Sequence, residues 1–303
     1  MGQFQRAGHM DVSNTVDVTD TENVLAVATA LLSTRYTAFD VDALQRLFRD
    51  FDRLYSGSYP GFRACDIQYH DAQHVLDVTL AMARLLHGHH TDHVASDRLP
   101  ADMALAGMAA ALFHDSGYIR RSHDTRHRSG AAYTRVHVSR GVQFLQTFLP
   151  QVGLARIMPV CTRIIHYTGY EVDPGEFPLR EPTEHLLGSL LGTADLMAQM
   201  ADSDYLRKCR DYLYTEFVAA GLAKAEHAAA MPATALYHSP EQLLQKTPAF
   251  MHNAVEARLD GLFNGVHRYL AVHFGGRHLY MDAIDANRRN LERLLAASEP
   301  LSP

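Results

Sequence analysis

Five stretches of the chain carry side chains that can bind a metal ion or move a proton, and each sits in apolar sequence. The densest is ALFHDSGY (111–118), where His114 and Asp115 end a run that is apolar on every side. An ionised carboxylate left unpaired in such surroundings costs several kcal/mol, so buried charges pair or coordinate metal. Upstream, YHDAQHVLDV (69–78) spaces His70, His74 and Asp77 at i, i+4 and i+7, which one helix would gather on one face. Downstream, His137 interrupts the amphipathic VHVSRGVQFL, His166 closes the apolar VCTRIIH, and Asp195 lies mid-run in LLGTADLMAQM. His114, Asp115 and Asp195 are expected to be buried by their flanks. A divalent cation supplies what buried carboxylates lack, and imidazole with carboxylate suits Mn, Mg, Fe, Zn or Ni over a thiolate-selected metal.

The elements that must position these groups read as helices throughout. Thr19-x-x-Glu22 has the form of a capping box before ENVLAVATALLS. Helical patterns follow at about 41–55, 67–88, 101–115, 128–149, 153–167, 183–220, 240–273 and 278–297, with Ser239-Pro240 a clear start. Gly117 is placed to stop the helix that ends in His114 and Asp115. Alternating strand patterns are missing, so the expectation is an all-α, compact helical bundle with the metal site between core helices. Residues 1–18 are polar and aperiodic and are expected to be disordered. Residues 19–300 read as one helical domain, with a core at about 65–215 and a C-terminal helical extension at about 216–300.

The order His74, His114-Asp115, Asp195 resembles the four defining ligands of the HD superfamily of metal-dependent phosphohydrolases. YHDAQHVLDV is similar to the Tyr-His-Asn-x-x-His-Ala-x-Asp-Val motif of class I cyclic-nucleotide phosphodiesterases, with Asp71 at the Asn position and Val75 at the Ala position. That likeness implies a proton-donor role for His70 and a ligand role for His74. HVSRG and IIHYTGY are similar to the extra histidine positions of two-metal HD proteins, which implies ligand roles for His137 and His166. The resemblance spans about residues 65–215. It implies one or two divalent ions, with His74, His114, Asp115 and Asp195 on the first and Asp115 bridging to His137 and His166 on the second. The implied activity is hydrolysis of a phosphate ester of a small nucleotide-like substrate by a metal-activated hydroxide, as a phosphodiesterase or nucleotidase. His70 would serve as general acid beside Asp115, and Asp77 would orient His74 or His70 from behind. Arg120 and Arg121, directly after the pair, are candidates to hold phosphate. Alternatives within the same fold are a di-iron HD-type oxygenase and a non-catalytic nucleotide-binding signalling module.

Composition narrows the remaining classes. The 303 residues are 47% hydrophobic and 20% charged with a net charge of −6, which argues against a broad nucleic-acid-binding or membrane surface. Three cysteines lack any Cys-x-x-Cys spacing, so a disulfide framework is not expected and a cytoplasmic setting is. No run of 18 apolar residues occurs. A homodimer is compatible with the sequence.

Overall fold

The computed structural model describes residues 6–172, 174–177, 179–225 and 233–298. Helix α3 (Ala72–Asp92) is the axis of an all-α architecture, buried along most of its length. Around it pack α1 (Thr21–Ser33), α4 (Ala101–Phe113), α7 (Pro182–Ala201) and α11 (Arg268–His273). The α4 sequence, ADMALAGMAAALF, is apolar on all faces because α2 (Val41–Tyr55), α3, α6 (Met158–Ile164) and α7 enclose it. The amphipathic α5 (His137–Gln151) packs beside α6 and buries Phe144, Leu145 and Phe148, with the rings of Phe144 and Phe148 against Phe113 of α4. Further along, α8 (Tyr205–Lys208), α9 (Tyr214–Ala219), α10 (Pro240–Asn253) and α12 (Leu279–Ser298) complete the array. One continuous apolar core runs from Val12 to Leu291. Among the described residues, extended pairing is limited to three isolated bridges, Met10–Asp17, Phe62–Arg121 and Ala223–Tyr237. No described helix is long and apolar enough to cross a membrane.

Several boundaries differ from the pattern in the sequence. Asp20, not Thr19, caps α1, accepting from the amides of Glu22 and Asn23 at 2.9 and 3.3 Å. Asp71 caps α3 by accepting from His74 N at 2.9 Å, so the helix starts at residue 72 instead of 67. The stretch expected to be helical over 183–220 ends its first helix at Ala201 and restarts as α8, a π-helical turn (Cys209–Leu213) and α9. A second π-helical stretch (Ala254–Leu262) follows α10.

Residues 6–18 are packed, not disordered as their composition suggests; residues 1–5 lie outside the described residues. The Asp11 carboxylate accepts from the amides of Ser13, Thr15 and Val16 at 2.8–2.9 Å and pairs with buried Arg84 at 2.5 Å. Arg6 pairs with Asp77 and donates to the carbonyls of Met10 and Ala201. Charges that look solvated in sequence are here half of long-range buried pairs, which local patterning cannot reveal.

Candidate metal centre

Three neighbouring helices deliver four metal-competent groups to one point. His74 comes from the first turn of α3, His114 and Asp115 from the end of α4, and Asp195 from α7. The burial expected for His114, Asp115 and Asp195 from their flanks is present, at 1%, 2% and 8% exposure, and His74 is likewise buried at 8%. His74 Nε2 lies 3.6 Å from Asp115 Oδ2 and 3.4 Å from Asp195 Oδ1. His114 Nε2 lies 3.2 Å from Asp115 Oδ2 and 3.8 Å from Asp195 Oδ1. Donor atoms about 2.1 Å from a common ion stand roughly 3.0–3.5 Å apart, so His74, His114 and Asp115 are spaced to within a few tenths of an ångström of what one divalent cation asks, with Asp195 Oδ1 beside the two imidazoles.

The bonding state of these atoms agrees with that fit. His114 Nδ1 is 2.8 Å from the Ala111 carbonyl, which fixes the proton on Nδ1 and leaves the Nε2 lone pair facing the carboxylates. His114 Nε2 and Asp115 Oδ2 are buried without a hydrogen-bonding partner, an expensive arrangement unless something else satisfies them. The His74–His114–Asp115 group could hold a metal ion. Burial alone would lower the His114 imidazole, but Asp115 and then Asp195 raise it to about 9. Burial works to raise the Asp115 carboxyl, and His114 and His70 overcome it and hold it well below the usual carboxylate range. A protonated imidazole and a divalent cation are alternative answers to the same two carboxylates.

His70 does not share a helical face with His74, because Asp71 starts α3 after it. It sits in the preceding turn, where Nδ1 is 2.7 Å from Glu216 Oε2 of α9. Glu216 Oε1 accepts from the amides of Gln68 and Tyr69, so one carboxylate holds the turn and orients the ring. Burial lowers the His70 imidazole, yet Glu216 and then Asp115 raise it to about 9. Glu216 escapes a motif search; its only sequence signal is an acid within the apolar YTEFVAAGL.

His137 begins α5. Its Nδ1 is 2.8 Å from the Thr134 carbonyl, leaving Nε2 directed at Asp115 Oδ1, 3.9 Å away. Glu171, unremarked in the sequence, caps this helix from the following loop: it accepts from Val138 N at 2.6 Å and from Ser139 N and Oγ at 3.0 and 2.5 Å. It also lies 3.8 Å from His137 Nδ1. His166 is brought near Glu171 but not within ion-pairing distance of Asp115, and its Nδ1 is buried without a partner.

Three further residues face elsewhere than expected. Asp77 is taken up by Arg6, whose buried guanidinium would otherwise be an unpaired charge, and not by His74 or His70. Arg120 is committed to Asp66 at 2.6 Å and to the His127 carbonyl at 2.8 Å, so it is not free to hold phosphate. Arg121 lies over the Phe62 ring, 4.1 Å from its centroid. Gly117 is not a helix stop either; it lies in a 3-10 turn (Ser116–Tyr118) beyond the helix end.

No family model matches the chain, and no curated protein matches it, so the geometry carries the functional reading.

Proposed function

We propose that the protein is a metal-dependent phosphohydrolase, a phosphodiesterase or nucleotidase that cleaves a phosphate ester of a small nucleotide-like substrate. The observation that carries this reading is the pairing of two kinds of group in one site. An imidazole–carboxylate cluster with unsatisfied buried atoms lies beside a histidine paired with a second carboxylate, which favours its imidazolium form. A divalent ion held by His74, His114, Asp115 and Asp195 would neutralise phosphoryl charge and acidify a water. Asp115 Oδ1 and His137 Nε2 offer ligands for a second ion. His70 holds a proton on Nε2 for the departing alkoxide, and Glu216 stabilises the imidazolium before transfer. Thr134 and Ala111 fix the tautomers of His137 and His114, so that neither ring must reorganise to present Nε2.

The test is hydrolysis of bis-(p-nitrophenyl) phosphate and a panel of cyclic and linear nucleotides by the purified chain supplied with Mn or Mg. Metal-dependent release of product from at least one ester is expected. No turnover on any ester, or dioxygen uptake by an iron-loaded centre, would overturn the reading.

A further inference from the structure

Tyr118 is buried at 2% exposure, and its ring stacks on two of the site histidines. The His70 and Tyr118 ring centroids are 4.6 Å apart at an interplanar angle of 18°. Those of Tyr118 and His137 are 4.5 Å apart at 17°. The two imidazoles lie 6.3 Å from each other at 33°, close to the sum of the two tilts, so they incline in opposite senses on one support. Offset stacking of this kind fixes ring plane as well as distance.

The support is registered to the carboxylate that both histidines face. Tyr118 N donates to the Asp115 carbonyl at 3.0 Å, closing the 3-10 turn that joins them. Two glycines let this turn seat so deeply. A Cβ on Gly117 would stand 1.8 Å from the His137 carbonyl oxygen, and one on Gly130 would stand 2.3 Å from that of Tyr118. Backbone therefore meets backbone at Gly117 and at the Tyr118 carbonyl, and the turn that carries the ring has little freedom to shift.

We propose that Tyr118 is a positioning residue, a shared aromatic platform that sets the proton-donating ring of His70 and the ligand ring of His137 at one fixed separation around Asp115. The assignment rests on the hydrolase reading for its consequence in turnover, but the platform itself is independent of it. The Tyr118 ring stacks on His70 and His137, while its link to Asp115 is through the backbone amide, so a change of side chain that leaves the turn intact should leave the first ion site in place.

The experiment combines imidazole proton resonances of the full-length chain with metal content and kinetics for Tyr118→Phe and Tyr118→Leu. In the unsubstituted chain the ring protons of His70 and His137 should be shifted upfield by the Tyr118 ring current. Tyr118→Phe should keep those shifts, and in a hydrolase it should keep kcat too. Tyr118→Leu should abolish the shifts, retain the ion of the first site and lower kcat at least about tenfold with KM little changed. Unshifted resonances in the unsubstituted chain overturn the platform even if Tyr118→Leu does not fold. So does a folded Tyr118→Leu chain with unchanged resonances, or with unchanged kcat in an active enzyme. Shifted resonances in a chain inactive on every ester support the platform and sink the hydrolase reading alone.

Discussion

The Glu216 carboxylate lies 2.7 Å from His70 Nδ1 across 146 positions of sequence, and its other oxygen accepts from the amides of Gln68 and Tyr69 at 3.1 and 2.7 Å. It is 4% exposed, so the pairing is shielded from solvent. Replacing Glu216 by Gln keeps the amide contacts and removes the charge that favours the imidazolium. The expected result is a loss of about 10- to 100-fold in kcat on esters with alkoxide leaving groups, with metal content unchanged. A p-nitrophenyl ester, whose leaving group needs no proton, should lose far less. Equal losses on both would show that Glu216 does not act through His70.

The Asp11–Arg84 pair makes the N-terminal loop part of the fold. Both side chains are almost fully buried, and Arg84 also donates to Tyr280 Oη at 3.0 Å. Asp11→Ala leaves that guanidinium without its carboxylate and should cost about 3–5 kcal/mol in urea unfolding. Burial raises the Asp11 carboxyl, but Arg84 and the Ser13 hydrogen bonds bring it down to about 2. Its contribution is thus present above the ordinary value of 3.8 and lost as pH falls toward 2. A loss under about 1 kcal/mol on substitution would mean the loop is not anchored through this pair.

Histidines at the far end of α3 and around α12 should make the fold acid-labile. Burial holds His89, 1% exposed, at about 4 and His273 at about 3. Burial and then His267 bring His278 to about 4. The unfolded chain takes up these protons near pH 6.5 and the folded chain does not. Stability should therefore be undiminished by these groups above pH 6.5 and fall as pH drops toward 4, by a few kcal/mol in total after discounting for partial exposure. Melting temperature measured from pH 7 to 4.5 should fall steadily, and His89→Gln should flatten the slope. A flat profile would contradict this account.

Gly117→Ala tests how tightly the Ser116–Tyr118 turn is packed against α5. A Cβ there meets the His137 carbonyl at 1.8 Å, so α5 or the turn must move. A destabilisation of about 1–3 kcal/mol is expected, together with a lower kcat. A fully stable and active variant would mean the two backbones are not in the contact described.

The sequence made the all-α class legible because the apolar periodicity of 41–55 is strong and the long apolar run at about 101–115 exceeds a strand's length; both coincide with helices in the structure, the second ending at Phe113. It also displayed His114, Asp115 and Asp195, since a titratable group inside an apolar run advertises its burial, and His74 through its spacing from His70. Glu216, Glu171 and Tyr118 were not legible, because each acts on a histidine that only the fold brings beside it, 146 positions away for Glu216 and His70. The role given to Asp77 failed for the same reason: its true partner, Arg6, lies 71 residues away in a segment that reads as disordered. The helical face assumed for His70 was lost to one capping residue, Asp71.

The central claim is that His74, His114, Asp115 and Asp195 hold a divalent ion. It is tested most directly by elemental analysis of the purified chain and Asp115→Ala, with an anomalous-scattering map of the crystallised protein. The account predicts bound metal in the unsubstituted chain, a density peak among His74 Nε2, His114 Nε2 and the two carboxylates, and loss of metal and hydrolysis in Asp115→Ala. A chain that stays metal-free in saturating Mn, Zn, Fe, Ni and Mg, with no anomalous peak at that point, would contradict it.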